Sequence, residues 1–249
     1  MTEKPKRALV TGGSAGLGAA AVSWLQQNGY QVVVLDRAPP SAGKAPVEYI
    51  GCDLASRPAL EAVMPELIAT GPYDLIFLNA GINATGRFEA IDAKAHIDVI
   101  RINAEAPMVI AARLLEAGAL KRGAAGIFVS SLSHFTGYPG AASYAASKDA
   151  LAIYAKSMRK YAKTQGVTLT VAFPGPLKTD HAERHAPQGA DASKRMEPGE
   201  AAKLILSDAF AGKKTSIPGS ANRIFAVIGR IAPKPVTALM RRLIYDRLG

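Results

Sequence analysis

Residues 8–29 read "ALVTGGSAGLGAAAVSWLQQNG". The apolar run Ala8 to Thr11 predicts a strand, and the alanine-rich run from Ala19 predicts a helix. Between them stand Gly12, Gly16 and Gly18, with Ser14 and Leu17 in the same turn. Glycine removes side-chain bulk that would hold an anion off the backbone, and the first amides of a helix lack partners, so such a turn suits a pyrophosphate. A glycine pattern alone could serve only a tight turn. Here a second apolar run follows, "YQVVVLDR" at 30–37, and its Asp36 stands about 20 residues beyond the turn, the position of a ribose-binding carboxylate. The two runs together predict a dinucleotide site.

Asp36 also bears on which dinucleotide. A carboxylate accepts hydrogen bonds from ribose hydroxyls and repels a 2′-phosphate, which favours NAD over NADP. Arg37 beside it could accommodate a phosphate, so NADP remains the alternative.

Outward from this junction the same pattern repeats. "VEYIGCD" (47–53), "YDLIFLNAG" (73–81), "AGIFVSS" (125–131) and "VTLTVAFPG" (167–175) are apolar runs separated by stretches long enough for a helix. Such alternation predicts an α/β fold, and near-continuous apolarity marks strands covered on both faces. The expected architecture is a single-domain Rossmann-type doubly wound parallel sheet with helices on both faces. The domain spans 1–221, with a polar loop or lid at 180–200 ending where Pro198 opens a helix, and an extension follows at 222–249.

Bulk composition excludes other classes. The chain has 249 residues, 49% of them hydrophobic, enough for a proper core. Cys52 is its one cysteine, so no intrachain disulfide forms, and a reducing cytoplasm is the expected setting. No run approaches the roughly 18 apolar residues of a membrane span, and the first residues lack the apolar core of a signal peptide. The net charge is +10, but from Lys213 to Gly249 eight Lys or Arg face Asp246 alone, so +7 of it is local. That distribution argues against a diffuse nucleic-acid-binding surface; a local basic patch could still meet phosphates or lipid headgroups.

"ASYAASKDAL" at 142–151 sets Tyr144 and Lys148 four apart on one helical face. Alone, such a pair is usually a packed ring and a solvated ammonium. As chemistry, the spacing has a use. A free tyrosine titrates near 10; an ammonium about 4 Å away at an effective dielectric near 20 favours the phenolate by roughly 4 kcal/mol, a drop of up to about three pKa units. An oxidised nicotinamide, itself cationic, would add to this. Tyr144 could then exchange a hydroxyl proton near working pH, with Ser131 on a neighbouring strand end hydrogen-bonding the same substrate oxygen.

These residues resemble the short-chain dehydrogenase/reductase family over nearly the first 180 positions. "TGGSAGLG" is similar to its TGxxxGxG turn. "CDL", 52–54, resembles the adenine-contacting segment, implying that Asp53 meets the adenine amino group with Leu54 beside it. Asn79, Ala80 and Gly81 match the tail of its NNAG motif, although Leu78 stands where the first Asn is usual. "PGPLKT", 174–179, is similar to the PGxxxT segment at the nicotinamide, implying contacts from Pro174, Gly175, Leu177 and Thr179. Ser131 precedes Tyr144 by the family's thirteen residues, Tyr144 and Lys148 complete YxxxK, and Asn103 falls at the position of the family's catalytic asparagine. The resemblance implies that Lys148 also binds the nicotinamide ribose and that Asn103 holds a water linking Lys148 to solvent.

The chain departs from that family at its end. Ile224, Val227, Ile228 and Ile231 follow helical spacing, as do Val236, Leu239, Met240 and Leu243 after a proline. Two short amphipathic helices are expected, their apolar faces covering the chain's own cleft, a second subunit or an acidic membrane surface. A homodimer is the expected assembly rather than the family tetramer. His181 and His185 share metal-ligand spacing, but no further ligand lies near in sequence, so solvated loop histidines are expected and no metal. The expected activity is hydride transfer between NAD(H) and a secondary alcohol or ketone, with an apolar, bulky substrate suggested by Leu132, Phe135 and Tyr138. The rivals are a non-catalytic dinucleotide sensor and a basic membrane- or nucleic-acid-binding protein.

Overall fold

The computed structural model describes residues 5–40, 47–185, 193 and 195–247. Seven strands form one parallel sheet: β1 (Lys6–Thr11), β2 (Tyr30–Asp36), β3 (Glu48–Gly51), β4 (Tyr73–Leu78), β5 (Leu120–Val129), β6 (Thr168–Ala172) and β7 (Thr215–Ser216). Their order is β3-β2-β1-β4-β5-β6-β7. The first six strands coincide with the apolar runs; β7 has only two residues and carries no comparable run.

Alternation along the strands builds two apolar layers. Leu9, Val33, Leu35 and Ile76 point to one side, beneath α2 (Arg57–Ala69), α4 (Ala106–Glu116) and α6 (Ala142–Thr164). Val10, Val34, Leu75 and Phe77 point to the other, beneath α1 (Gly16–Gln27) and α8 (Pro198–Phe210). All eight strand side chains are fully buried, each contributing about 1.5–3 kcal/mol. Local signals set the helix ends: Ser56 caps α2 by accepting from the Ala59 amide, and Asp92 caps α3 (Ala93–Ile100) by accepting from Lys94.

Strand order reverses between β1 and β4, so their carboxyl ends open a crevice at the switch point, where ligands of such sheets bind. Asn79, just past β4, holds this point together: its side-chain amide donates to the Thr11 and Gly12 carbonyls at 3.3 and 3.1 Å, and its backbone amide donates to Thr11 Oγ1 at 3.0 Å.

Three short elements complete the rim. α5 (Ser133–Thr136) follows β5, and α7 (Asp180–Arg184) follows β6, capped by Thr179. The expected lid at 180–200 thus begins as a helix; Arg195 and Met196 return to it, Met196 bridging Leu177, while 186–192 and 194 lie outside the described residues. The tail forms α9 (Ser220–Ile231) and α10 (Pro233–Leu243). No described helix is long and apolar enough to cross a membrane.

The tail helices turn the wrong way for a simple cover. α9 packs inward through Phe225, Ala226 and Gly229, and a Cβ at Gly229 would overlap the Phe135 carbonyl oxygen. Its apolar stripe of Ile224, Val227, Ile228 and Ile231 faces outward, 62, 53, 45 and 80% exposed. α10 buries Val236 and leaves Leu239 exposed; the side chain of Leu243 lies outside the described residues.

Candidate active site

At the β1–α1 turn the backbone, more than the side chains, is what the sequence controls. Gly12 adopts φ +66°, and a Cβ there would lie 2.8 Å from the Ala80 Cα. A Cβ on Gly18 would overlap the Gly12 carbonyl oxygen. Ala15, at the N-cap of α1, provides no side-chain cap, which leaves the first amides of the helix open to an anion. Asp36 reaches the turn from the end of β2. Its carboxylate accepts from the Ser14 amide at 3.0 Å and from the Arg37 amide at 2.7 Å, which fixes its rotamer while it stays partly exposed. Leu17 is buried under the turn.

The other predicted cofactor residues surround this crevice. Asp53 is exposed and accepts from the Ala55 amide at 3.0 Å, with Leu54 buried beside it. Ala80 donates its amide to Thr11 Oγ1 at 3.1 Å. Pro174 is buried, Gly175 faces Asn222 of α9, Leu177 pairs with Met196, and Thr179 lies 3.2 Å from where a Gly16 Cβ would stand. The uncapped amides, the side-chain-free turn and the fixed carboxylate together fit a dinucleotide.

Past the carboxyl end of β5, Ser131 turns its hydroxyl to the Tyr144 phenol. Lys148 is buried and donates to the Val129 carbonyl at 2.8 Å. Asn103 is fully buried in a π-helical turn, Arg101–Glu105, inserted between α3 and α4. That turn is a local irregularity of the kind that re-aims side chains at functional sites. Asn103 exchanges hydrogen bonds with the Ile82 backbone, Oδ1 accepting at 2.8 Å and Nδ2 donating at 2.9 Å, and Nδ2 also donates to Ser147 Oγ at 3.1 Å. Gly81 separates the two catalytic candidates behind the tyrosine: a Cβ there would meet Lys148 Nζ at 3.2 Å and Asn103 Oδ1 at 3.3 Å. The structure therefore brings Asn103, Ser131, Tyr144 and Lys148 to one place, at the edge of the dinucleotide crevice.

The electrostatics differ from the expected phenol lowered by its neighbour. Burial raises the Tyr144 phenol above its ordinary value, the Ser131 hydrogen bond pulls it down and Tyr138 pushes it up again. Lys148 Nζ sits 5.9 Å from the tyrosine ring centroid, turned to a backbone carbonyl, and its own burial pushes the ammonium down to about 8. In the free protein the tyrosine holds its proton and the lysine is the group that titrates near working pH.

Several neighbours escaped the sequence. Ser147 is fully buried, accepts from Asn103 and donates to the Tyr144 carbonyl at 2.7 Å. Ser130 Oγ donates to the Lys148 carbonyl at 2.9 Å. Leu132 and Phe135 belong to the core rather than a substrate wall, while Tyr138 packs edge-on against Tyr144 with centroids 6.0 Å apart. The phenol of Tyr138 faces Asn83 and Thr85, with Arg195 nearby; Asn83 Oδ1 and Arg195 Nη1 are enclosed with no hydrogen-bond partner among the described residues. His181 and His185 are not solvated loop residues. They lie at α7 with rings 4.9 Å apart, and burial, with His185, Arg184 and Lys148 adding positive charge, lowers His181 to about 4. Among the described residues, no group of three His, Cys, Asp or Glu could hold a metal ion.

Known proteins resemble this chain in sequence and fold. An uncharacterized oxidoreductase of Myxococcus xanthus is 31% identical over 186 residues, 70% of this chain and 73% of that one. The 3-oxoacyl-[acyl-carrier-protein] reductase FabG of Escherichia coli is 28% identical over 188 residues, 72% of this chain and 77% of that one. A short chain dehydrogenase family protein of Francisella tularensis superposes with a TM-score of 0.76 at 25% identity, covering 88% of this chain and 99% of its own. A short chain dehydrogenase of Burkholderia cenocepacia, solved in complex with NADP, shares the fold with a TM-score of 0.79 at 22% identity, over 96% and 99% of the two chains. The family model described as short chain dehydrogenase matches residues 6–189, so this chain belongs to the short-chain dehydrogenase/reductase family and is an NAD(P)-dependent oxidoreductase.

Proposed function

We propose that the protein reduces a ketone, or oxidises the matching secondary alcohol, with Tyr144 as the proton-exchanging group. The observation that carries this is the meeting of Ser131, Tyr144 and Lys148 beside the open turn at Gly81. A bound nicotinamide dinucleotide supplies or accepts the hydride. In the reducing direction Tyr144, protonated because its phenol is raised, gives its proton to the substrate oxygen. Ser131 donates a hydrogen bond to that same oxygen and holds it in line. Lys148, near 8, returns a proton to the tyrosine, and Asn103 keeps the surrounding backbone at Ile82 in position. Gly12, Gly16, Gly18, Asp36, Asn79 and Thr179 would hold the dinucleotide.

NAD is the proposed partner, because Asp36 is held at the turn where a 2′-phosphate would meet its negative charge. The specific contrary observation is Arg37, whose backbone amide bonds that carboxylate and whose side chain is exposed, so NADP is the second reading. Initial rates with NADH and NADPH decide between them. The wild type should prefer NADH, and Asp36→Ala should reduce or reverse the preference; a wild type that prefers NADPH overturns the assignment.

Leu132 and Phe135 belong to the core, which leaves Tyr138, packed edge-on against Tyr144, as the residue that supports an apolar, bulky substrate. Ile97 and Ile100 on α3, with Ile153 and Tyr161 on the adjoining α6, are exposed and support a homodimer through that face, which light scattering would measure. The free, buried Cys52 suits a reducing cytoplasm.

A further inference from the structure

α9 is amphipathic in an inverted sense. Residues three and four apart share a helix face, so Ile224, Val227, Ile228 and Ile231 form one narrow stripe, while Phe225, Ala226 and Gly229 lie on the opposite face against α5 and the core. The inward face has no space for the isoleucines, because Gly229 already rides against the Phe135 backbone. The helix is thus anchored by its small residues and presents its large ones outward. Ile231, at 80% exposed, ends the stripe where α10 begins, and Leu239 on α10 is exposed as well.

Charge decides what covers this stripe. Arg223 and Arg230 lie along one flank, seven residues apart, and Arg230 is held there by its guanidinium, which sits 4.8 Å from the Phe135 ring centroid. Lys234, Arg241 and Arg242 are exposed on α10. A second copy packed stripe to stripe would bring two like-charged tails together, which electrostatics opposes. A surface that is apolar in depth and negative at its rim complements the patch, and an anionic bilayer is such a surface: aliphatic side chains enter the acyl boundary while arginines meet headgroup phosphates. We propose that the outward face of α9, with the basic residues of α9 and α10, docks the enzyme on anionic lipid membranes. The inward face of the same helix adjoins Gly175 and α5, so the docked bilayer would lie about one helix diameter, roughly 10 Å, from the rim of the catalytic cleft.

The test is co-sedimentation of the full chain with phosphatidylcholine vesicles containing phosphatidylglycerol, set against phosphatidylcholine alone. Wild type should pellet with the anionic vesicles, and raising salt from about 0.1 M to about 1 M should release much of it as the screening length contracts. The double variant Ile224→Glu/Ile231→Glu removes exposed side chains that touch no catalytic group. It should lose binding by on the order of tenfold or more while keeping its dinucleotide oxidation rate with a water-soluble ketone. Wild type that stays in solution, or a double variant that pellets equally, overturns the proposal. So does a wild-type oligomer that the variant dissociates without any vesicle binding, which would assign the stripe to a second copy.

Discussion

Lys148 should make the free enzyme less stable at neutral pH than a protein without it. Its amine titrates near 8 when folded and near 10.5 when unfolded, so below 8 folding forces a buried group to hold a charge it would rather shed. Because the folded value is lowered, the unfolded chain binds more protons between these values, and stability rises with pH through that window. The full shift corresponds to about 3 kcal/mol of destabilisation at pH 7, of which about 2 kcal/mol is regained by about pH 9.5. Lys148→Met keeps an unbranched apolar side chain in the same space and loses one hydrogen bond to Val129, worth about 1 kcal/mol. At pH 7 the variant should therefore match the wild type or exceed it by up to about 2 kcal/mol, although its activity collapses. Urea unfolding of both proteins without dinucleotide, at the two pH values, measures the effect, and other titrating groups cancel in the difference. Wild-type stability relative to Lys148→Met should climb by about 2 kcal/mol from the lower pH to the higher. A difference that is flat, or that falls, would refute the claim that Lys148 is buried as a strained cation.

Other outcomes follow from the same geometry. Asn103→Ala removes three hydrogen bonds from a fully buried site, a loss of about 3 kcal/mol, so calorimetry should show the Tm falling by roughly 6–12 °C. Gly18→Ala drives a methyl into the Gly12 carbonyl and should weaken dinucleotide binding by about 10- to 100-fold in a titration, the equivalent of about 1–3 kcal/mol of displaced backbone. Gly199→Ala, where a Cβ meets nothing within 4 Å, should leave that binding unchanged.

How much of this was legible from sequence differed from element to element for physical reasons. The strands β1 to β6 were visible because a sheet covered on both faces demands unbroken apolar runs, and the turn at Gly12 to Gly18 because only glycine fits there. β7 was not, since two residues bonded through backbone groups need no side-chain pattern. Asn103 was found only through its resemblance to a family position; the π-helical turn that aims it has no sequence period of its own. The proton chemistry was not legible, because the Tyr144 to Lys148 spacing fixes a shared helix face but says nothing of the burial that raises the phenol and lowers the ammonium. Tyr138 comes against the ring through the tertiary fold, and Lys148 turns to Val129. The tail showed its periodicity plainly, yet periodicity does not say which face turns inward. Gly229, fitting where no side chain could, settles that.

The central claim is that Tyr144 moves the proton at this site, and Tyr144→Phe tests it with the ring kept and only the hydroxyl removed. Initial rates of dinucleotide oxidation across a panel of ketones should fall by about 10²- to 10⁴-fold in the variant while dinucleotide affinity stays the same. A variant that retains wild-type rates with the same ketones would contradict the account.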